Sequence, residues 1–226
     1  MAQRTIHYLI GEELIRGGGI RDIDRFRIGN LLPDAIEDLD FRDLTHYQAE
    51  TEIDGHAVRT SDFERFRRDF APLVETDGLY LGYYMHLVED ACYRRLWEKA
   101  GLREHQMTRE RVAVLHNDYH LLNFYIVNRW GLKNELVYPA GFEAEPIRRI
   151  YPFLLRDFLD EMSGDFSERP QGTTHYMTER LLEQYLDEAM PVCLEALRRI
   201  LSGATPLDPM ELSWPGSPSP GPRSAP

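Results

Sequence analysis

The chain has 226 residues, a formal net charge of −12 and a sequence pI near 5.1. Its length fits one large domain or two small ones, and a hydrophobic content of 42% is enough for a sizeable core. The acidic balance repels nucleic acid polymers and anionic membrane surfaces at long range, so we expect neither as a partner, and an anionic substrate needs a local source of positive charge.

Two helices are predicted in the N-terminal segment. The first covers Thr5 to Arg16 and ends at the glycine run that follows, because glycine supplies the positive φ of a C-terminal cap. The second covers Asp22 to Leu32 and ends at Pro33, which disfavours helical dihedral angles at the residue before it. His7 lies on the apolar face of the first helix, and Asp34 follows the proline directly.

The same N-terminal segment mixes acidic and apolar residues and lacks the basic and then uninterrupted apolar pattern of a signal peptide. No stretch is long and apolar enough to span a bilayer. The two cysteines, Cys92 and Cys193, are too far apart to indicate a disulfide framework or a cysteine-rich zinc site. We therefore expect a cytoplasmic protein with no stable membrane insertion.

A polar segment from Glu37 to Thr60 is predicted to be a long loop, which can hold a short hairpin at a turn containing Gly55. Loops of this length inside compact domains are commonly functional, and this one contains His46. A helix from Ser61 to Leu73 follows, with Ser61 and Glu64 as a capping box.

The segment from Gly78 to Trp97 is apolar on nearly every side of a helical wheel, which predicts a buried helix. His86 and Asp90 lie one turn apart on one face, where side chains are about 5–6 Å apart at Cβ and can bind the same divalent ion. Gly82, one turn earlier, leaves room for a metal or for a neighbouring backbone. The alternative is a core histidine hydrogen-bonded to a carboxylate.

Three more helices are predicted in the C-terminal half: Thr108 to Trp130, Glu145 to Met162 with a kink or break at Pro152, and Thr178 to Leu201. In the first of these, Asp118 lies at the centre of an apolar stripe, where a carboxylate is costly unless it is paired or coordinates something. His116 and His120 lie on the opposite, more polar side.

Seven of the 14 prolines lie between Pro206 and Pro226, mixed with serine and glycine. This composition cannot build a core. The sequence therefore predicts an all-α protein, with a single helical domain around a buried central helix over residues 1–203 and a disordered Pro/Ser/Gly-rich tail over residues 204–226.

The titratable groups that face inward or leave helix ends form a candidate metal set. Imidazole and carboxylate groups together favour zinc, with manganese or iron as alternatives. Taken singly, the first histidine can be a core residue, the second a loop residue and the first aspartate a cap. The members of the set are His7, Asp34, His46, His86, Asp90 and Asp118.

Three segments resemble successive blocks of the zinc-dependent phospholipase C family: FRIGNLLPDAI from Phe26 to Ile36, the THY that contains His46, and GLYLGYYMHLVEDACYRRLW. The resemblance covers roughly residues 5–130 and is to the smaller bacterial members that lack a secretion signal. It implies the all-helical architecture that the family shares with P1-type nucleases. The metal ligands that it implies are His7, Asp34, His46, His86 and Asp90.

The chain departs from the family pattern at the last metal. The secreted enzymes use their mature amino terminus as a ligand, and they have a histidine shortly after the central helix's HxxxD, followed by HxxxE. This chain offers His116 and His120 with Asp118 between them, and the earlier histidine has no counterpart. We therefore expect one or two ions, with Asp118 as a ligand or an orienting residue, and leave the part of His116 and His120 open.

The resemblance implies hydrolysis of a small phosphoester by metal-activated water, with Asp34 orienting or deprotonating that water. Tyr47, Tyr83 or Tyr119 could donate a hydrogen bond to the phosphate. The alternative is a non-catalytic helical protein with a structural metal site, in which the acidic surface or the proline-rich tail binds a partner. An open coordination position distinguishes the two, because structural zinc has four protein ligands.

Overall fold

The computed structural model describes residues 3–53, 55–99 and 108–214. A two-stranded antiparallel hairpin, β1 (Gln48–Ile53) and β2 (His56–Ser61), is its sheet, and the fold is otherwise helical, as the sequence predicts. Among the described helices, none has both the length and the hydropathy needed to cross a bilayer. The helices are α1 (Arg4–Gly17), α2 (Ile23–Leu31), α3 (Arg42–Thr45), α4 (Phe63–Asp69), α5 (Leu73–Thr76), α6 (Gly78–Lys99), α7 (Arg109–Trp130), α8 (Leu155–Asp165), α9 (Glu179–Ser202) and α10 (Pro209–Ser213).

Helix α6 is the central element of the fold. Every residue from Gly78 to Tyr93 is buried, which confirms the prediction of a buried helix. Helices α1, α2, α5, α9 and α10 and strand β2 all pack against it. Any polar side chain on this part of α6 is therefore removed from water and has to find its partners inside the protein.

Two glycines allow α2 and α6 to approach each other closely. A Cβ atom added at Gly29 would lie 1.9 Å from the backbone oxygen of Leu79, and one at Gly82 would lie 2.2 Å from the backbone oxygen of Phe26. Both distances are far inside van der Waals contact, so this crossing requires positions without side chains. From the sequence, we expected the space at Gly82 to hold a metal or a neighbouring backbone. The structure shows that the backbone of α2 occupies it.

The turn after α2 differs from the prediction. Leu32 keeps helical dihedral angles, with φ −59° and ψ −36°, and the chain continues into a 3₁₀ turn, Leu32–Asp34. Pro33 is tolerated there because it occupies the first positions of a new turn, where its missing N–H breaks no hydrogen bond. The turn ends at Asp34, so the turn determines where the Asp34 carboxylate lies relative to α2.

Two predicted helix starts are also wrong. Ser61 ends strand β2, so Asp62 caps α4 instead, its side chain accepting a hydrogen bond from a backbone N–H. The helix predicted from Glu145 starts instead as a 3₁₀ turn, Pro146–Arg149. The predicted break at Pro152 is confirmed, because residues 151–154 have no regular structure and α8 begins at Leu155. The predicted hairpin in the loop before Ser61 is confirmed.

The start of the predicted tail is ordered against the domain. Helix α10 packs on α6 and β2, and Leu212 is buried. The Thr60 hydroxyl donates to the backbone oxygen of Pro209 at 3.2 Å, and the Trp214 indole donates to the backbone oxygen of Arg59 at 3.3 Å. Before α10, Leu207 packs against the core. The predicted disorder is therefore wrong for residues 204–214, and residues 215–226 lie outside the described residues.

We predict that Gly82→Ala lowers the free energy of unfolding by about 1–3 kcal/mol or more, because the added methyl group forces α2 away from α6. Urea denaturation measures the change. Gly164→Ala in α8 is the matched control, since a Cβ there meets only the flexible carboxylate of Glu168 at 3.2 Å. The control is expected to be neutral or slightly stabilising. Equal stability of the two variants would contradict the close crossing.

Candidate metal site

Four parts of the chain bring five of the predicted ligands together. His7 lies in α1, Asp34 in the turn after α2, and His46 directly after α3. His86 and Asp90 both lie in α6. The three histidines are fully buried, and Asp90 is nearly so. The Asp34 side chain is 14% exposed and is therefore the member of the cluster closest to solvent.

The ligand atoms lie at distances that suit a shared cation. Asp90 Oδ2 is 3.8 Å from Nε2 of both His46 and His86, and Asp90 Oδ1 is 3.6 Å from Nε2 of His7. Asp34 Oδ1 is 3.2 Å from His46 Nε2. Two atoms bound to one zinc ion at about 2.1 Å each are at most about 4.2 Å apart, so all four pairs fit.

Two sets of three residues have ligand atoms that all lie within 4.8 Å of one another. His86 belongs to both sets, and its ring stacks on the ring of His7 with centroids 3.8 Å apart. Two overlapping sets are compatible with the one or two ions expected from the sequence. The sets are His7 with Asp34 and His86, and His46 with His86 and Asp90.

Each of the three histidines is held at Nδ1 and directs Nε2 into the cluster. An acceptor at Nδ1 places a proton on that nitrogen and leaves Nε2 available to a cation, which is the usual arrangement of metal-binding histidines. The acceptors are Glu89 Oε2 for His7 at 2.6 Å, the Asn30 backbone oxygen for His86 at 2.8 Å and the Arg42 backbone oxygen for His46 at 3.1 Å.

Two of these inward nitrogens lack a partner. Nε2 of His7 and Nε2 of His86 are buried and have no hydrogen bond among the described residues. A buried polar atom left unsatisfied costs about 1–3 kcal/mol, and two in one cluster need an explanation. A divalent cation between them would remove both costs, and the mixture of imidazole and carboxylate groups suits zinc.

The carboxylates give the cluster an excess of negative charge. Burial lowers the pKa of His7, but the adjacent carboxylates of Asp90 and Glu89 outweigh it and raise the pKa of His7 to about 10. At 3.6 Å the contact with Asp90 is too long for a hydrogen bond, so this attraction is between charges. Burial and the positive charge of His7 lower the pKa of His86 to about 3. A metal ion must therefore displace a proton from His7.

Glu89 is a residue of the site that the sequence analysis missed. It is fully buried, and its two oxygens contact His7 Nδ1 at 2.6 Å and accept from Asn30 Nδ2 at 2.8 Å. Burial raises its pKa, and the contact with His7 acts in the opposite direction. The helical wheel of α6 could have indicated Glu89, because a carboxylate on a helix that is apolar on nearly every side is buried with its neighbours.

Asp118 does not belong to this cluster. It is fully buried, as the wheel predicts, but its oxygens accept hydrogen bonds from the backbone N–H groups of His175, Tyr176 and Met177 at 2.9, 2.6 and 3.0 Å. Neither set of candidate ligand atoms contains it. The expectation that Asp118 binds or orients a metal is therefore corrected: its carboxylate holds the segment before α9 against α7.

A cavity of about 400 Å³ lies beside the cluster, and Asp34 is the candidate ligand that lines it. Arg42 lines the cavity next to Asp34, while His116 and His120 of α7 form part of another wall. Both of these histidines are exposed and lie outside the two candidate ligand sets. They face the cavity, where a bound molecule would meet them, and not the buried cluster.

The three tyrosines considered as phosphate donors are placed differently. The Tyr47 hydroxyl donates to Asp69 at 3.2 Å, and the Tyr83 hydroxyl donates to the backbone oxygen of Thr45. Tyr119 lines the cavity, where its hydroxyl is 2.5 Å from that of Tyr93. Of the three, Tyr119 is the one that can reach a molecule in the cavity.

The fold and the site together define a mainly helical protein with a buried histidine and carboxylate cluster beside a cavity. Comparison with models of protein families, with curated proteins and with solved structures gives no match. The chemistry of the site is therefore what indicates the function.

We predict that Glu89→Gln weakens zinc binding by about 10- to 100-fold, because the imidazole of His7 loses the charged acceptor that orients it. Competition with a chromophoric chelator measures the affinity. Glu64→Gln is the control, since Glu64 contacts Arg67 and Tyr84 away from the cluster. An unchanged affinity in Glu89→Gln would show that Glu89 does not support the metal site.

The pKa of His7 also predicts a pH dependence. Below its pKa of about 10, His7 carries a proton that the metal must displace, so zinc affinity should fall about tenfold for each pH unit of acidification between about pH 8 and 6. Titration calorimetry in buffers of different ionisation enthalpy counts the released proton. An affinity that does not change over this range would contradict the displacement.

Proposed function

We propose that the protein is a metal-dependent hydrolase of phosphoester bonds, using one or two zinc ions and an activated water. The convergence of three imidazole Nε2 atoms and two aspartates beside a cavity carries this proposal. The mainly helical architecture and the order of the ligands along the chain are consistent with a fold like that of the zinc-dependent phospholipases C and P1-type nucleases, which the sequence resembles.

The roles of the residues follow from their positions. The buried histidines and Asp90 hold the metal, and Asp34 reaches both the cluster and the cavity. Bound zinc lowers the pKa of a coordinated water to about 7 and polarises a phosphoryl oxygen. Burial opposes ionisation of Asp34, but the contact with His46 and the positive charge of Arg42 and the nearby histidines together outweigh it and hold the pKa of Asp34 below its usual range. Such a carboxylate is a weak base, so Asp34 acts mainly by orienting the attacking water.

The cavity and the overall charge favour a small substrate. A volume of about 400 Å³ is in the range of small-molecule sites. The net charge of −12 disfavours long polynucleotides, which carry one negative charge for each phosphate. We therefore propose a small phosphoester, of the phospholipase C or nucleotide phosphodiesterase type, as the substrate.

The competing function is a non-catalytic protein with a structural metal that binds a partner. Structural zinc is closed by four protein ligands, whereas catalytic zinc keeps a position for water. The partial exposure of Asp34 at the cavity favours the catalytic function, because it gives a substrate access to one edge of the cluster.

The decisive test combines elemental analysis with a panel of aryl phosphomonoesters and phosphodiesters. We predict that the wild type binds zinc and hydrolyses at least one ester, and that His86→Ala loses both properties because the two ligand sets share this residue. His175→Ala is the control, since its exposed side chain lies outside the cluster. Zinc retained in His86→Ala would refute the site. A zinc-bound wild type that cleaves no ester would favour the structural alternative.

A further inference from the structure

Arg42 is connected to two of the candidate ligands. Its backbone oxygen lies 3.1 Å from His46 Nδ1, and its Nη2 lies 3.4 Å from Asp34 Oδ1. It is the first residue of α3, and His46 directly follows this short helix, so the backbone of Arg42 lies next to the cluster. The side chain lines the cavity beside Asp34.

The guanidinium of Arg42 has donors that the described part of the chain does not use. Its Nε is buried and has no hydrogen bond among the described residues. The contact with Asp34 is long, at 3.4 Å, compared with about 2.7–2.9 Å for a good charge-assisted hydrogen bond. A guanidinium has five N–H donors in a fixed plane, and the contact of Nη2 with Asp34 is the side-chain hydrogen bond that Arg42 makes among the described residues, so its outer nitrogens keep donors for a molecule in the cavity.

The other arginine that lines the cavity is already neutralised. Arg4 makes a two-pronged contact with Asp165, at 2.6 and 3.2 Å, and a further contact of 3.3 Å with Glu161. Asp165 is in turn held by Asn123 Nδ2 at 2.8 Å. This network satisfies the charge of Arg4, and Arg42 is left as the arginine of the cavity wall with an incomplete set of partners.

We propose that Arg42 binds the phosphoryl group of the substrate while that group lies at the metal cluster. The inference rests on the proposed function and adds to it the residue that binds the negative charge of the phosphoester substrate. A planar guanidinium matches two phosphate oxygens at once, which a lysine ammonium does not. Arg42 also supplies the local positive charge that an anionic substrate needs in a chain with a net charge of −12.

The test uses zinc-loaded full-length protein with Arg42→Ala and Arg42→Lys. Inorganic phosphate is the anionic probe, and imidazole, a neutral zinc ligand, reports on the metal site alone; titration calorimetry measures both affinities. We predict that Arg42→Ala keeps its zinc and its imidazole affinity but binds phosphate at least about tenfold more weakly, since a charge-assisted pair is lost. Arg42→Lys should lie between the two, because it keeps the charge without the planar fork.

Arg59→Ala is the matched control, because Arg59 lies on the hairpin, partly exposed and paired with Asp43 and Glu50. Unchanged phosphate affinity in Arg42→Ala would overturn the inference and leave the proposed hydrolase standing. Equal losses of phosphate and imidazole affinity would also overturn it, since Arg42 would then only position the ligands Asp34 and His46. A wild type that holds no zinc would refute the proposed function, and the inference with it.

Discussion

The close crossing of α2 and α6 is the constraint on which the site depends. Because Gly29 and Gly82 carry no side chains, the backbone of α2 reaches the surface of α6. Asn30 of α2 then makes two hydrogen bonds with α6: its backbone oxygen accepts from His86, and its side-chain amide donates to Glu89. A larger separation would break both contacts and leave a buried imidazole and a buried carboxylate without partners.

The buried charges make the cluster costly unless protons or a cation balance them. Three carboxylates and three imidazoles share a region that water barely reaches, and such a group of charges is stable only when it is paired or coordinates a metal. A proton on His7 supplies part of the missing positive charge, and a divalent ion would supply more. Asp118 differs from the residues of the cluster, because three backbone N–H groups stabilise its carboxylate and it needs no cation.

The sequence predicts the long helices and the convergence of His86 and Asp90, because both follow from a helical period of 3.6 residues. The helical period does not predict contacts between segments that are far apart in the chain, and the convergence of the more distant ligands was expected only from the candidate metal set and the family resemblance. The partners of Asp118 lie 57 to 59 residues further on, and no local pattern indicates them. The order of residues 209–214 was missed for the same reason: composition describes the segment alone, whereas its helix is stabilised by packing on β2 and α6.

The wide spacing of the ligands along the chain also affects how the protein is assembled. His7 and Glu89 are 82 positions apart, so their contact forms only when the N-terminal helix has docked on the centre of the domain. An unfolded chain offers no comparable pocket of donors, and an ion that binds only the native arrangement shifts the folding equilibrium toward it. The cluster therefore also holds the first helix of the chain against the helix at its centre.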